Sequence, residues 1–130
     1  MITVALNSPV PLHDQLVAQL RHLIASGKLG EGDELPPVRQ LANDLGINLN
    51  TVARAYRELT DDGLLASARG RGTVVHSATS RPSGRPAEEQ KRIEKTLAAA
   101  LADAKLAGLT KSQTRTLLDR HVARLWSASI

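Results

Sequence analysis

The chain has 130 residues and a mass of 13.9 kDa, enough for one small domain and an appendage but not for two full-sized domains. It contains no cysteine, which excludes disulfide frameworks, cysteine-ligated zinc and thiol chemistry and makes a reducing cytoplasm the expected compartment. A net charge of +4 and a pI near 10.0 suit a polyanionic partner, because Lys and Arg gain affinity by displacing counterions from phosphates.

With aromatic residues at only 2%, the core must be made from Leu, Ile, Val and Ala, a composition common in helical proteins. The start of the chain lacks the basic beginning and long apolar run of a signal peptide, and no run approaches membrane-spanning length, so no membrane partner is expected. Ile2, Val4 and Leu6 alternate with polar or small residues, which predicts a short strand that needs a sheet partner and stops at Ser8-Pro9-Val10-Pro11.

From Leu12 to about Ser26, Leu12, Leu16, Leu20, Leu23 and Ile24 recur at helical spacing and Gly27 supplies a stop. Residues 28–37, with two glycines and two prolines, read as loop, and Pro37 suits a first helical turn because no amide donor is needed there. Val38, Leu41, Ala42 and Leu45 then mark a short second helix that Gly46 ends. Asn48 is a suitable N-cap for a third helix, in which Val52, Ala55, Tyr56 and Leu59 take inward i, i+3, i+4 and i+7 positions. That phase turns Leu49, Asn50, Thr51, Arg54, Arg57 and Glu58 outward. The helix closes at Asp61-Asp62-Gly63.

Two strand-like runs follow, residues 64–69 and 73–76, separated by Gly70-Arg71-Gly72, which reads as a hairpin with a basic tip. Three helices and such a hairpin describe a winged helix-turn-helix over residues 1–77. Residues 78–86 are small, polar and proline-punctuated, the composition of a linker. In the tail, residues 87–130, Ile93, Leu97, Leu101 and Ala104 share one helical face. Gly108 breaks the run, Thr110 and Gln113 have capping-box spacing, and Leu117, Leu118, Val122, Leu125 and Trp126 form a second face. The fold class expected is therefore mainly α: a winged helix-turn-helix followed by a two-helix dimerisation hairpin, with more apolar surface than the pair can bury internally.

Major-groove base edges present patterned donors and acceptors, so a reader needs a narrow rigid element carrying paired polar groups. The start of the third helix supplies them. Asn48 and Asn50 can bond a base edge or phosphate, Thr51 a phosphate or thymine methyl, and Arg54, one turn on, a guanine or the backbone. Arg39 in the first turn of the second helix can clamp a phosphate. Arg69 and Arg71 on the wing can enter the adjacent minor groove, where Gly70 and Gly72 permit close backbone approach. The four histidines show no helix-borne metal spacing, and there is no nucleophile elbow, Walker loop or dinucleotide fingerprint, so neither a cofactor nor an enzyme is expected.

Residues from Pro11 to Val75 resemble the GntR family of bacterial transcription regulators. The resemblance rests on Pro11-Leu12 with Gln15-Leu16, Gly27-Lys28-Leu29 with Gly32-Asp33-Glu34-Leu35-Pro36, and Val38-Arg39-Gln40-Leu41-Ala42. It continues through Ile47-Asn48-Leu49-Asn50-Thr51-Val52, Arg54-Ala55-Tyr56, Glu58-Leu59, Gly63 and Gly70-Arg71-Gly72-Thr73-Val74-Val75. The asparagine-containing turn and the Arg54-Ala55-Tyr56 that follows look most like the YtrA-type subfamily, whose members have a short two-helix tail for dimerisation, and the tail here is similar in length and periodicity. Carried over by position, the resemblance implies DNA contacts by Arg39, Asn48, Asn50, Thr51, Arg54, Arg71 and Gly72. Leu49 stands where proline or arginine is common, and Pro37 where a capping serine is common.

The function expected is a homodimeric, sequence-specific regulator, a repressor, on an inverted-repeat operator of double-stranded DNA. Leu97, Leu101, Leu118, Val122, Leu125 and Trp126 are the expected dimer interface, and a small-molecule effector would have to use an interface, since so short a chain offers little other concavity. The alternative is an architectural or adaptor protein that coats DNA without sequence preference.

Overall fold

The computed structural model describes residues 2–76 and 86–126, so the linker expected at 78–86 lies outside the described residues except for Pro86. The chain divides into two compact units, Met1–Arg81 and Pro82–Ile130. The first holds α1 (Leu12–Ala25), α2 (Val38–Leu45), α3 (Leu49–Asp61), β1 (Leu65–Ala68) and β2 (Gly72–Val75); the second holds α4 (Pro86–Leu106) and α5 (Lys111–Trp126). Three helices and an antiparallel hairpin make the first unit a winged helix-turn-helix.

Helix α3 is the hub of this unit, packed against α1, α2 and β1. Val52, Ala55, Tyr56 and Leu59 are all buried, as the i, i+3, i+4, i+7 pattern predicts. Leu16, Leu20, Leu23 and Ile24 meet them from α1, joined by Val17, which the five-position pattern did not single out; Leu12 stays half-buried. The Arg21 guanidinium pairs with Asp62 just past the end of α3, fixing α1 to α3 at a second level. Gly63, at φ 83°, closes α3 with its amide on the Thr60 carbonyl while the Leu64 amide reaches Leu59.

Pro37 caps α2 rather than entering its first turn, and it offers no side-chain hydrogen bond. The anchor comes instead from α3, where the Tyr56 hydroxyl donates to the Pro36 carbonyl at 2.6 Å. Burial of that phenol pushes its pKa up to about 12 from 10.0, because the phenolate would have to form away from water.

Two segments differ from their sequence patterns. The strand expected at Ile2, Val4 and Leu6 does not form. Its backbone is held by side-chain amides of α1: Gln19 accepts from the Thr3 amide at 2.8 Å and donates to the Thr3 carbonyl at 2.9 Å. Gln15 accepts from the Ala5 amide at 2.8 Å and donates to the Ala5 and Val10 carbonyls. These two glutamines do the work of a neighbouring strand. Conversely, the stretch read as loop supplies a third rung to the wing, with Glu34 bridging Val74, the Leu35 amide on the Thr73 carbonyl at 2.9 Å and the Val75 amide on Asp33 at 2.9 Å.

In the second unit α4 starts at Pro86, a suitable first helical residue because it needs no amide partner. The turn to α5 passes Gly108 at φ 92°, and Thr110 and Gln113 form the reciprocal capping box: the Thr110 amide to Gln113 Oε1 at 2.9 Å, the Gln113 amide to Thr110 Oγ1 at 3.1 Å. No described side chain of this unit is fully buried.

The Tyr56 contact makes a measurable prediction. Tyr56→Phe should cost about 1–2 kcal/mol in urea unfolding at unchanged m-value, since the Pro36 carbonyl loses its donor. The folded phenol keeps its proton above pH 10.0 while the unfolded one releases it. The wild type should therefore lose this stability as pH rises from 10 towards 12, a loss the Phe variant lacks. As the only tyrosine, it reports through its phenolate absorbance.

Candidate nucleic-acid interface

The geometry of the helix-turn-helix is set by Gly46, at φ 69° and ψ 34°. In that left-handed conformation its amide reaches the Asn43 carbonyl and the Ile47 amide reaches Ala42 at 3.0 Å, which ends α2 and turns the chain within two residues. A Cβ at Gly46 would meet no atom within 4 Å, so a substitution there would be penalised by backbone strain, not by collision.

Asn48 then caps α3: its Oδ1 accepts from the Asn50 amide at 2.7 Å, and its carbonyl accepts from Thr51 at 3.1 Å. The cap uses the side-chain oxygen and leaves the amide NH2 to donate outward. Opposite the buried stripe of α3, Asn50, Arg54 and Arg57 cluster around one exposed meridian, while Thr51 is half-buried at its flank and Leu49 is 43% exposed. Among the described residues, Arg54 and Arg57 have no carboxylate partner; Glu58 is drawn sideways to His13 Nε2 at 3.3 Å. The outward face of α3 therefore presents two guanidiniums and a side-chain amide.

Arg39 stands exposed in the first turn of α2, on the rim of an open groove of about 870 Å³ between α2 and the start of α3. Gln40, Asn43, Ile47 and Leu49 line it too. Gln40 and Asn43 are polar groups that the sequence pattern did not single out; their only local signal is their position off the Leu41-Ala42 stripe. Arg39 thus shares a groove with Leu49 at the start of α3, while Asn48 caps that helix, Thr51 flanks it and Asn50 and Arg54 lie on its outward face.

The wing pairs Leu65 with Val75 through Ala68 with Gly72, and the Arg71 amide closes the tip on the Ala68 carbonyl at 3.0 Å. Gly70, the third residue of that turn, has φ 77°, the sign that a type II turn requires and that glycine adopts freely. Arg71 is exposed as well, its side chain at 53%, but its guanidinium is already engaged. Its Nε meets Glu34 Oε1 at 3.0 Å and its Nη2 donates to the Gly32 carbonyl at 2.7 Å, contacts with two residues far back in sequence that no local pattern announces. Arg69 is exposed at the tip, and Gly72 is exposed at φ 76°.

In the second unit Leu97, Leu101, Val122 and Trp126 are exposed and Leu118 and Leu125 half-buried, which leaves an apolar face uncovered. Among the described residues no three His, Asp or Glu side chains come together as a metal site, and no helix is long and apolar enough to cross a membrane.

Residues 12–75 match the family described as bacterial regulatory proteins, gntR family. Over 75 residues the chain is 40% identical to the HTH-type transcriptional repressor YtrA of Bacillus subtilis, covering 58% of each protein. Over 66 residues it is 48% identical to the HTH-type transcriptional regulator Rv1152 of Mycobacterium tuberculosis, covering 50% of this chain and 54% of that one. The match thus spans little more than half the length of these curated relatives. Among solved structures, YtrA from Sulfolobus acidocaldarius, described as a GntR-family transcription factor, is similar at 35% identity and a TM-score of 0.56, over 75% of this chain and 97% of that one. A protein described as a transcriptional antiterminator from Listeria monocytogenes EGD-e is similar at a TM-score of 0.80 and 25% identity, over 96% and 92%. With the winged helix-turn-helix formed by the motif residues themselves, and a GntR factor matched over nearly its whole length, this chain belongs to the GntR family of bacterial regulatory proteins.

Proposed function

We propose that the protein is a homodimeric, sequence-specific transcription regulator, a repressor of a small operon released by an effector, acting on an inverted-repeat operator in the bacterial cytoplasm. The observation that carries this reading is the outward face of α3, where Asn50 and Arg54 stand opposite the buried stripe with no side-chain partner among the described residues. Rigid helices place such groups accurately enough to meet base edges, while Arg39 at the start of α2 can hold a phosphate and set register. Asn48 adds an NH2 donor beside its capping oxygen, Thr51 a hydroxyl at the flank, and the wing, with Arg71 and Gly72 at the end of its tip turn, a second contact point. The net charge of +4 supplies attraction that is independent of sequence. Repression is supported by the B. subtilis relative, which is named a repressor.

Dimerisation is supported by the second unit. A helix pair without a single fully buried described side chain gains little from its own packing, and Leu97, Leu101, Leu118, Val122, Leu125 and Trp126 offer apolar surface that a second copy could cover. Two such units related by a two-fold axis would set two α3 helices on half-sites about 34 Å apart, one turn of the duplex.

The orientation of α3 is tested by paired substitutions. Arg54→Ala should weaken operator binding by about 1–3 kcal/mol, and Arg57→Ala, one turn further from the capped end, by distinctly less in the same fluorescence titration. Equal losses would mean that the N-terminal half of the helix does not lead. For the second unit, light scattering on the full chain at micromolar concentration should give the mass of a dimer, and Leu97→Glu combined with Val122→Glu should give a monomer. A wild-type monomer would remove the dimer from the account.

A further inference from the structure

We infer that Arg69 is the wing arginine that touches DNA, and that Arg71 is a positioning residue that braces the wing through Glu34 and the Gly32 carbonyl. The inference rests on the DNA-binding reading above and divides between two neighbouring residues a role their sequence leaves shared.

The first argument is geometric. Segment 32–35 is docked along β2 by three backbone bonds: the Gly32 amide to the Val75 carbonyl at 2.8 Å, the Val75 amide to Asp33 at 2.9 Å and the Leu35 amide to Thr73 at 2.9 Å. Arg71 folds back over this segment and holds it at two points, a carboxylate and a carbonyl. The segment continues directly into Leu35 and Pro36, whose carbonyl is the acceptor for Tyr56 ahead of α2. Arg71 thus ties the wing to the same stretch of chain that anchors the helix-turn-helix, and so sets where the wing stands beside the duplex.

The second argument is electrostatic. With Nε on Glu34 and Nη2 on the Gly32 carbonyl, Arg71 has only its remaining N–H groups to offer a phosphate, and turning the guanidinium fully towards DNA would leave an unpaired carboxylate beside a polyanion, where like charges repel. Kept in place, Arg71 neutralises Glu34 while DNA is bound. An exposed ion pair is weak alone, but here the same guanidinium also satisfies a backbone carbonyl, a geometry that requires the wing to be docked.

Arg69 stands in the opposite situation. It is exposed at the second position of the tip turn, next to Gly70, and makes no ion pair or side-chain hydrogen bond among the described residues. A lone guanidinium on a slender, glycine-flanked tip can enter a narrow minor groove, where the negative potential is focused.

The test uses the full-length protein and a labelled duplex recovered by its own selection from a random pool, titrated across a salt series, with Arg54→Ala as reference. Arg69→Ala should lower affinity about tenfold and reduce the salt slope by about one, with amide exchange at Leu35 and Val75 unchanged. Arg71→Glu should speed exchange at those two amides while the Leu59 amide in α3 stays protected, and should weaken binding. The charge swap Glu34→Arg with Arg71→Glu should restore both exchange and affinity to within about threefold of wild type. If the swap binds as poorly as Arg71→Glu alone, Arg71 is itself a DNA contact and the assignment is overturned. It is overturned equally if Arg69→Ala binds like the wild type while Arg54→Ala is impaired. Should Arg54→Ala and the wild type bind alike, with no salt dependence, it is the DNA-binding reading that fails.

Discussion

The arrangement of the first unit depends on the burial of one stripe of α3. Val52, Ala55 and Leu59 have no exposed surface and Tyr56 almost none, so the rotation of the helix about its axis is fixed by the core. Turning α3 by even one position would expose Val52 and Leu59 and bury Arg54 or Arg57 without partners, a change that costs several kcal/mol. The outward face is therefore the geometric complement of the inward one. Packing energy, distributed over α1, α2 and β1, is what holds the polar groups in register for a partner.

Tyr56 joins this constraint to the second helix. Its ring belongs to the core and its hydroxyl holds the Pro36 carbonyl, directly ahead of a helix whose cap, Pro37, offers no side-chain acceptor. Segment 32–36 thereby becomes a common support: Tyr56 fixes one end, the β2 backbone and Arg71 fix the other. The helix-turn-helix and the wing are separate in sequence, yet both are referred to this one stretch.

Much of this was legible in the residues because it is local. Helical spacing marked α1, α2 and α3, the glycines at 46, 63, 70 and 108 marked turns where positive φ is needed, and Asn48 and the Thr110–Gln113 pair marked helix starts that form as their spacing implies. What was illegible is contact across long separations. Gln15 and Gln19 imitate a strand for residues 3–5, and nothing in a glutamine's local context says that its amide will pair with a backbone a dozen residues away. The rung formed by 33–35 has no alternation to betray it, since glycine, proline and charge dominate that stretch. The same blindness affects the site: both wing arginines read as basic tip residues, and only the fold reveals that one of them is already engaged with Glu34. In the second unit, periodicity found the apolar faces, and the structure shows them uncovered in a single chain.

The central claim is that the polar face of α3 reads sequence, with two copies arranged by symmetry. Selection of duplexes from a random pool by the full-length protein tests it most directly. The account predicts enrichment of an inverted repeat whose half-sites lie about one helical turn apart, bound at least about three decades more tightly than scrambled DNA at the same salt. Recovery of no common motif, with equal affinity for scrambled duplexes, would contradict it and leave only the attraction of a basic surface for phosphate.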